Sequence, residues 1–249
     1  MQIGKKNDNT PLHLYKDEES GRVKVTLQQI SKEKDLGIIT DSNLNFNQHI
    51  HDAVNKANRL MGTIRRTYTY LDNKTFCLLY KALVRPHLEY GACVWNPYLQ
   101  KDINELENVQ RRATKQIPGM KDLSYENRLR ILKLPSLRHR RLRGDMIQVY
   151  KLTHGGYDSA VSEGLLVPNI NKITRGHSLS LLKRRSRLNL RKYSFSERVV
   201  NFWNSLPDAV VTSPTVKTFE SRLDKHWSNS DCIYNHEIDN NILIHLRET

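Results

Sequence analysis

Hydrophobic positions in the middle of the chain recur every three or four residues, which is the period of an α-helix with one buried face. In the longest run, which starts near His49, the apolar positions are Ile50, Ala53, Val54, Ala57, Leu60, Met61 and Ile64. The opposite side of the same run carries Lys56, Arg59, Arg65 and Arg66. The pattern predicts an amphipathic helix with a basic outer face.

Further helices with the same period follow. One is expected to begin at Asp72, a favourable N-cap, and to kink or stop at Pro86, which lacks a backbone N–H. The next should run from about 101 to 116, before the stop signal Pro118-Gly119. The remaining helices of this predicted bundle run over 125–132 and from 136 to about 152.

The two ends of the chain have different patterns. Residues 11–15, 22–30 and 35–40 alternate and contain β-branched side chains, which predicts a small antiparallel sheet. Periodicity is lost after Gly155 and returns at SFSE (194–197), a capping-box sequence. A last helix is expected after the N-cap and N1 pair Ser213-Pro214.

The predicted fold is therefore mainly α. A thumb-like helical bundle follows a small N-terminal antiparallel β segment and precedes a separate C-terminal pair of helices. The predicted segments are 1–47 (β-rich), 48–155 (bundle), 156–193 (basic, weakly ordered linker), 194–228 (C-terminal helices) and 229–249 (frayed tail).

Charge points to a polyanionic partner. Lysine and arginine number 40 against 26 acidic residues, for a net charge of +14 and a pI near 9.7. Nucleic acid, an anionic membrane surface and acidic proteins would all be attracted. Arginine predominates in several clusters, which favours bidentate contacts to phosphate. Any one cluster is equally compatible with a solvated helix face, but several together favour binding. The candidate contact residues are Arg65, Arg66, Arg111, Arg112, Lys115, Arg140, Arg141 and Arg143.

The sequence contains no recognisable catalytic motif. The three cysteines are far apart and form no disulfide framework, and no apolar run has the length of a signal peptide or membrane span. The expectation is an intracellular protein, nuclear or cytoplasmic, with no membrane partner. The group His226, Cys232, His236 and His245 matches no zinc spacing. The chain has no Asp-Asp pair to hold the cations of two-metal phosphoryl transfer, so no metal or other cofactor is expected.

Six strings carry a resemblance to a known family: KDLGIITDSNLNFNQHI, NKANRLMGTIRRTY, LYKALVRPHLEYGACVWNPYLQKDINELENVQRRATKQI, SYENRLRILKLPSLRHRRLRGDMIQVYKL, TRGHS and FSERVVNFWNSLP. In this order they resemble the C-terminal portion of LINE-type, non-LTR retrotransposon reverse transcriptases of the jockey-like kind. The resemblance covers the chain from about Met1 to about Trp227.

The resemblance implies a chain that begins downstream of the catalytic palm of an RNA-directed DNA polymerase, with the helices after Ile50 corresponding to the thumb. The aspartates and their Mg²⁺ would then lie before Met1, so no catalytic residue is assigned here. The expected role is binding of RNA, DNA or an RNA–DNA duplex. Two alternatives stay open: a decayed or co-opted transposon remnant serving as a protein-interaction module, and a complete enzyme encoded by a longer reading frame.

Overall fold

The computed structural model describes residues 1, 10–18, 21–162, 164–170, 176–238 and 240–245. The first two residues of the TRGHS string, 174 and 175, lie outside the described residues. The chain divides into two compact units, Met1–Asp52 and Ala53–Thr249. The fold is mainly α, with two antiparallel β pairs in the first unit, which confirms the predicted fold class.

The β-strands of the described residues form two separate hairpins. Strand β1 (His13–Glu18) pairs with β2 (Gly21–Thr26), and β3 (Lys32–Asp35) pairs with β4 (Ile38–Asp41). The predicted strand over 35–40 is wrong, because Leu36 and Gly37 have φ values of 46° and 84° and turn the chain between β3 and β4. A two-residue turn with positive φ at both positions matches the twist of a hairpin.

The predicted bundle contains seven helices. They are α1 (Asn47–Thr67), α2 (Asn73–Leu79), α3 (Arg85–Glu89), α4 (Ala92–Trp95), α5 (Gln100–Thr114), α6 (Tyr125–Leu132) and α7 (Leu137–Thr153). Asp72 is the N-cap of α2, as predicted, and its carboxylate accepts the N–H of Thr75.

Pro86 neither stops nor breaks its helix. A π-helical segment, Tyr80–Val84, joins α2 to α3, and the N–H of Arg85 reaches back to the carbonyl of Tyr80. Pro86 then occupies the first turn of α3, where a missing N–H leaves no bond unmade. The wider turn before the proline explains why the expected break does not occur.

In the second half of the chain, the described residues form five short or medium α-helices: α8 (Ser159–Ser162), α9 (Asn189–Lys192), α10 (Phe195–Asn204), α11 (Asp208–Val211) and α12 (Val216–Trp227). The predicted capping box of α10 does not form, because the Ser194 hydroxyl donates to the carbonyl of Arg191. Helix α12 is capped by Thr215, since the hydroxyl of the predicted cap, Ser213, donates to the carbonyl of Val210.

Helices α10 and α12 share a hydrophobic core with α7. The buried members include Met146 and Val149 from α7, Trp203 from α10, and Phe219 and Trp227 from α12. The predicted linker and C-terminal helices therefore belong to the same compact unit as α7.

The residues after Trp227 are packed where they are described, so the predicted frayed tail is corrected there. Asp231–Ile233 and Asn240–His245 form 3₁₀ turns, and Cys232 and Leu243 join the core around α7. The carbonyl of Ile233 accepts the N–H of Ser136 at 2.7 Å.

Candidate nucleic-acid interface

The outer face of α1 carries a row of exposed cations. Lys56, Arg59 and Arg66 are three and seven residues apart, so they lie along one side of the helix, opposite the buried Ala57, Met61 and Ile64. The row extends for about 15 Å at 1.5 Å per residue. Arg65 is also exposed, but it lies about 100° around the helix from Arg66 and is not part of the row. Helix α1 holds a single carboxylate, Asp52, so the row is not neutralised within its own helix.

The basic residues of α5 differ in their surroundings. Arg112 and Lys115 are exposed at the C-terminal end of the helix. Arg111 is half-buried, with its guanidinium 5.2 Å from the ring centroid of Tyr125 and 3.9 Å from the carboxylate of Glu237. Two of the three predicted α5 contacts are thus open to a ligand, and the third already has an aromatic and an acidic neighbour.

Two predicted contacts on α7 are held by carboxylates of other helices. Arg140 binds both oxygens of Glu89, the second at 2.9 Å. Arg143 binds both oxygens of Asp224 at 2.6 and 2.9 Å. Each bidentate pair occupies the N–H edge of the guanidinium with which the arginine would otherwise bind a phosphate. Arg140 and Arg143 therefore tie α7 to α3 and α12.

Arg141 is corrected as a contact residue, because its side chain is buried rather than exposed. Its Nε donates to the side-chain oxygen of Asn96 at 3.0 Å, and the charges of Glu89, Glu107 and Asp145 act on it through space. Sequence pattern could not separate Arg141 from Arg140, because adjacent helical residues differ in direction by about 100° and only the packing partners show which one points inward.

The structure also shows a cleft that the sequence analysis did not assign. Its volume is about 390 Å³, and it lies between the segment 96–98, α7, the segment 183–193 and α10. The rings of Tyr98 and Tyr193 stack at its edge, with centroids 4.2 Å apart and an interplanar angle of 1°. The ammonium of Lys192 lies 5.3 Å from the centroid of the Tyr193 ring.

The charge of this cleft is positive. Asp145, the one carboxylate among the described residues that line it, accepts two hydrogen bonds of 2.9 Å from Arg198 and one of 3.2 Å from Asn96. Arg138, Lys183, Lys192 and Arg198 all line it. Lys183 donates to the carbonyl of Glu197, and burial lowers the pKa of its ammonium group.

The basic segment 183–192 leads directly into the cleft. Arg184, Arg185, Arg187 and Arg191 are exposed, and this segment contains no acidic residue. Its sequence signal was the run KRRSRLNLRK, which predicted a linker. Sequence alone gave no indication that Tyr98, about 90 residues earlier, stacks beside it.

Other reactive groups show no arranged site. The three cysteines are free thiols, and burial raises the pKa of Cys77 and Cys93. Among the described residues, no three His, Cys, Asp or Glu side chains are grouped to hold a metal ion. The same part of the chain contains no helix long and apolar enough to cross a bilayer.

Comparisons with known proteins give one relative. The chain is 27% identical over 146 residues to the uncharacterized protein B0403.1 of Caenorhabditis elegans, an alignment that covers 56% of this chain and 74% of that protein. No protein-family model matches the chain. No solved structure matches it.

Proposed function

We propose that this chain is the thumb-containing C-terminal portion of a non-LTR retrotransposon reverse transcriptase and that it binds template–primer nucleic acid without itself catalysing polymerisation. The resemblance of the strings from KDLGIIT to FSERVVNFWNSLP supports the family. The observation that carries the binding role is the row of Lys56, Arg59 and Arg66 on α1, with Arg65 beside it.

The preferred ligand follows from the chemistry of this row. Exposed cations spaced along a helix can follow a phosphate backbone, and contacts to phosphate carry no sequence information of their own. The contact is therefore electrostatic and tolerant of sequence. Arg112 and Lys115 on α5 are the further candidates, whereas Arg140, Arg141 and Arg143 stabilise the packing of α7.

The test is a titration of the full chain against a labelled RNA–DNA duplex over a salt series. Arg59→Gln combined with Arg66→Gln is expected to reduce the slope of log affinity against log salt by about 1.8, because each phosphate contact contributes about 0.9. The control variant Lys217→Gln/Lys225→Gln removes the same charge from exposed positions of α12. Equal losses in the two variants, or no duplex binding at low salt, would refute the proposed interface.

A second candidate function is a protein-interaction module. One face of the first hairpin carries five exposed apolar side chains and one lysine, Lys16: the apolar residues are Leu12, Leu14, Val23, Val25 and Leu27. Contiguous apolar surface of this kind is typical of a site for another protein. By contrast Trp95 and Trp203, whose exposure would also have indicated a lost partner, are buried.

A further inference from the structure

We propose that the cleft between Tyr98, Lys183, Lys192 and Phe202 binds a nucleoside phosphate, either free or as one nucleotide of a single strand that follows the basic segment 183–192. The strand form of this inference rests on the proposed nucleic-acid-binding function. The free-nucleotide form does not.

The size of the cleft favours a single nucleotide. At about 390 Å³ it lies near the lower end of the volumes typical of small-ligand sites, roughly 300–1,000 Å³. A duplex is too wide to enter such a cleft. One base with its sugar is the unit that matches.

The lining supplies the groups that each part of a nucleotide requires. Ile103, Leu142 and Phe202 give apolar contact, and the exposed Tyr98 ring offers a stacking surface, which any base can use. Asn201 provides an amide group near the same space, whereas the amide of Asn96 is hydrogen-bonded to Arg141 and Asp145. A ring system with polar edges fits this combination better than a purely aliphatic ligand.

The cations determine the charge of the ligand. Arg198 neutralises Asp145 through two hydrogen bonds, so Lys183 and Lys192 leave the cleft positive. Arg184, Arg185 and Arg187 continue the positive charge along the exposed segment outside it. If one phosphate of a strand lies beside Lys192, the neighbouring phosphates of that strand are within reach of these arginines. Cations on adjacent exposed residues can follow a flexible nucleic-acid backbone.

The test uses fluorescein-labelled (dT)12, the RNA–DNA duplex and unlabelled dTMP as probes. Tyr98→Ala combined with Lys192→Gln removes one stacking ring and one ammonium group. The control variant Tyr157→Ala/Lys217→Gln removes the same two groups from exposed positions outside the cleft. Melting curves of both variants check that the fold is retained, and Tyr98→Phe keeps the ring.

The expected result is a loss of (dT)12 affinity by about tenfold or more in the cleft variant, the effect of one base stack and one phosphate contact. The (dT)12 affinity of the control variant and of Tyr98→Phe should stay within about twofold of that of the unchanged chain, because salt screens the loss of one remote charge. A (dT)12 probe with 5-iodouracil should photocross-link to peptides that contain Tyr98 or Tyr193. Duplex affinity should change far less in the cleft variant than in Arg59→Gln/Arg66→Gln.

The outcomes separate the two proposals. If the cleft and control variants bind (dT)12 equally and also bind dTMP equally, the cleft inference is overturned while nucleic-acid binding stands. If dTMP binds and the cleft variant abolishes it, yet neither strand nor duplex binds, the cleft inference holds and the proposed function fails. If the unchanged chain binds neither (dT)12 nor dTMP, the cleft inference is overturned.

Discussion

A single imidazole gives the second unit a pH-sensitive group. His139 is buried on α7 with its ring edge-on to Trp227, at a centroid distance of 5.4 Å. Burial lowers the pKa of His139 from 6.5 to about 4. Asp224 favours the charged form, whereas Arg143 and Arg140 oppose it, so the neighbouring charges only partly offset the effect of burial.

The sign of the resulting pH dependence follows from proton binding. Between pH 4 and 6.5 the unfolded chain holds a proton on His139 and the folded chain does not. The free energy of unfolding therefore falls as the pH is lowered through this window, by up to ~3 kcal/mol from this group. Denaturant unfolding at a series of pH values should show this slope, and His139→Gln should reduce it.

His51→Gln, at an exposed position on α1, is the matched control. A residual slope is expected in His139→Gln, because burial also lowers the pKa of His49 and His236. Identical slopes in the His139 and His51 variants would contradict the assignment.

At the residue scale, sequence predicts which side chains are charged but not what they meet. The run RHRRLR contains Arg140, Arg141 and Arg143, which bind Glu89, Asn96 and Asp224 respectively. Those partners lie 51, 45 and 81 residues away. No local pattern contains that information. On α1, by contrast, the apolar period alone separates the buried side from the exposed cations.

At the scale of elements, the first hairpin leaves a row of apolar side chains exposed. Leu14 and Val25 are cross-strand partners on this apolar face, whereas Tyr15 and Lys24, which are also exposed, are partners on the other. A two-stranded hairpin buries little of its own apolar surface, since nothing within it covers either face.

We therefore expect Leu14→Thr combined with Val25→Thr to reduce self-association, while threonine preserves the strand preference. Sedimentation of the full chain over a concentration series measures this. Tyr15→Thr/Lys24→Thr alters the opposite face as a control. The interaction-module interpretation fails if the unchanged chain stays monomeric and both variants behave alike.

Helix boundaries were predictable where the signals are local. The residues of α6 and the N-cap of α2 follow from the sequence, because their caps lie next to the helices that they close. The continuation of the helix through Pro86 did not follow from the sequence, because it depends on a π-helical segment that helix propensity does not predict. The turn at Leu36-Gly37 did not follow from the sequence either, because Leu36 and the β-branched residues after it, Ile38 to Thr40, together resemble one strand.

At the scale of the whole molecule, the tail is part of the second unit rather than an appendage. Leu243 is buried in the core shared by α7, α10 and α12, and Arg138 donates to the carbonyls of His236 and Ile238. Composition predicted a frayed end because this region is polar. The apolar contacts come from a few residues spaced too irregularly to give a period.

Leu243→Ala should consequently lower the free energy of unfolding by roughly 2–5 kcal/mol, the range for truncating a buried leucine. Thermal or denaturant unfolding gives the value. Glu237→Ala, at an exposed position in the same region, should change it by less than about 0.5 kcal/mol. If the two variants are equally stable, Leu243 is not a core residue.

Helix α7 packs against α3, α4 and α5, which precede it in the chain, and against α10 and α12, which follow it. If either group of helices separated from α7, it would expose apolar side chains that the other group also covers. The two groups are thus thermodynamically coupled, and Ala53–Thr249 should unfold in a single cooperative transition. The second unit would then keep its basic α1 face and its cleft together or lose both.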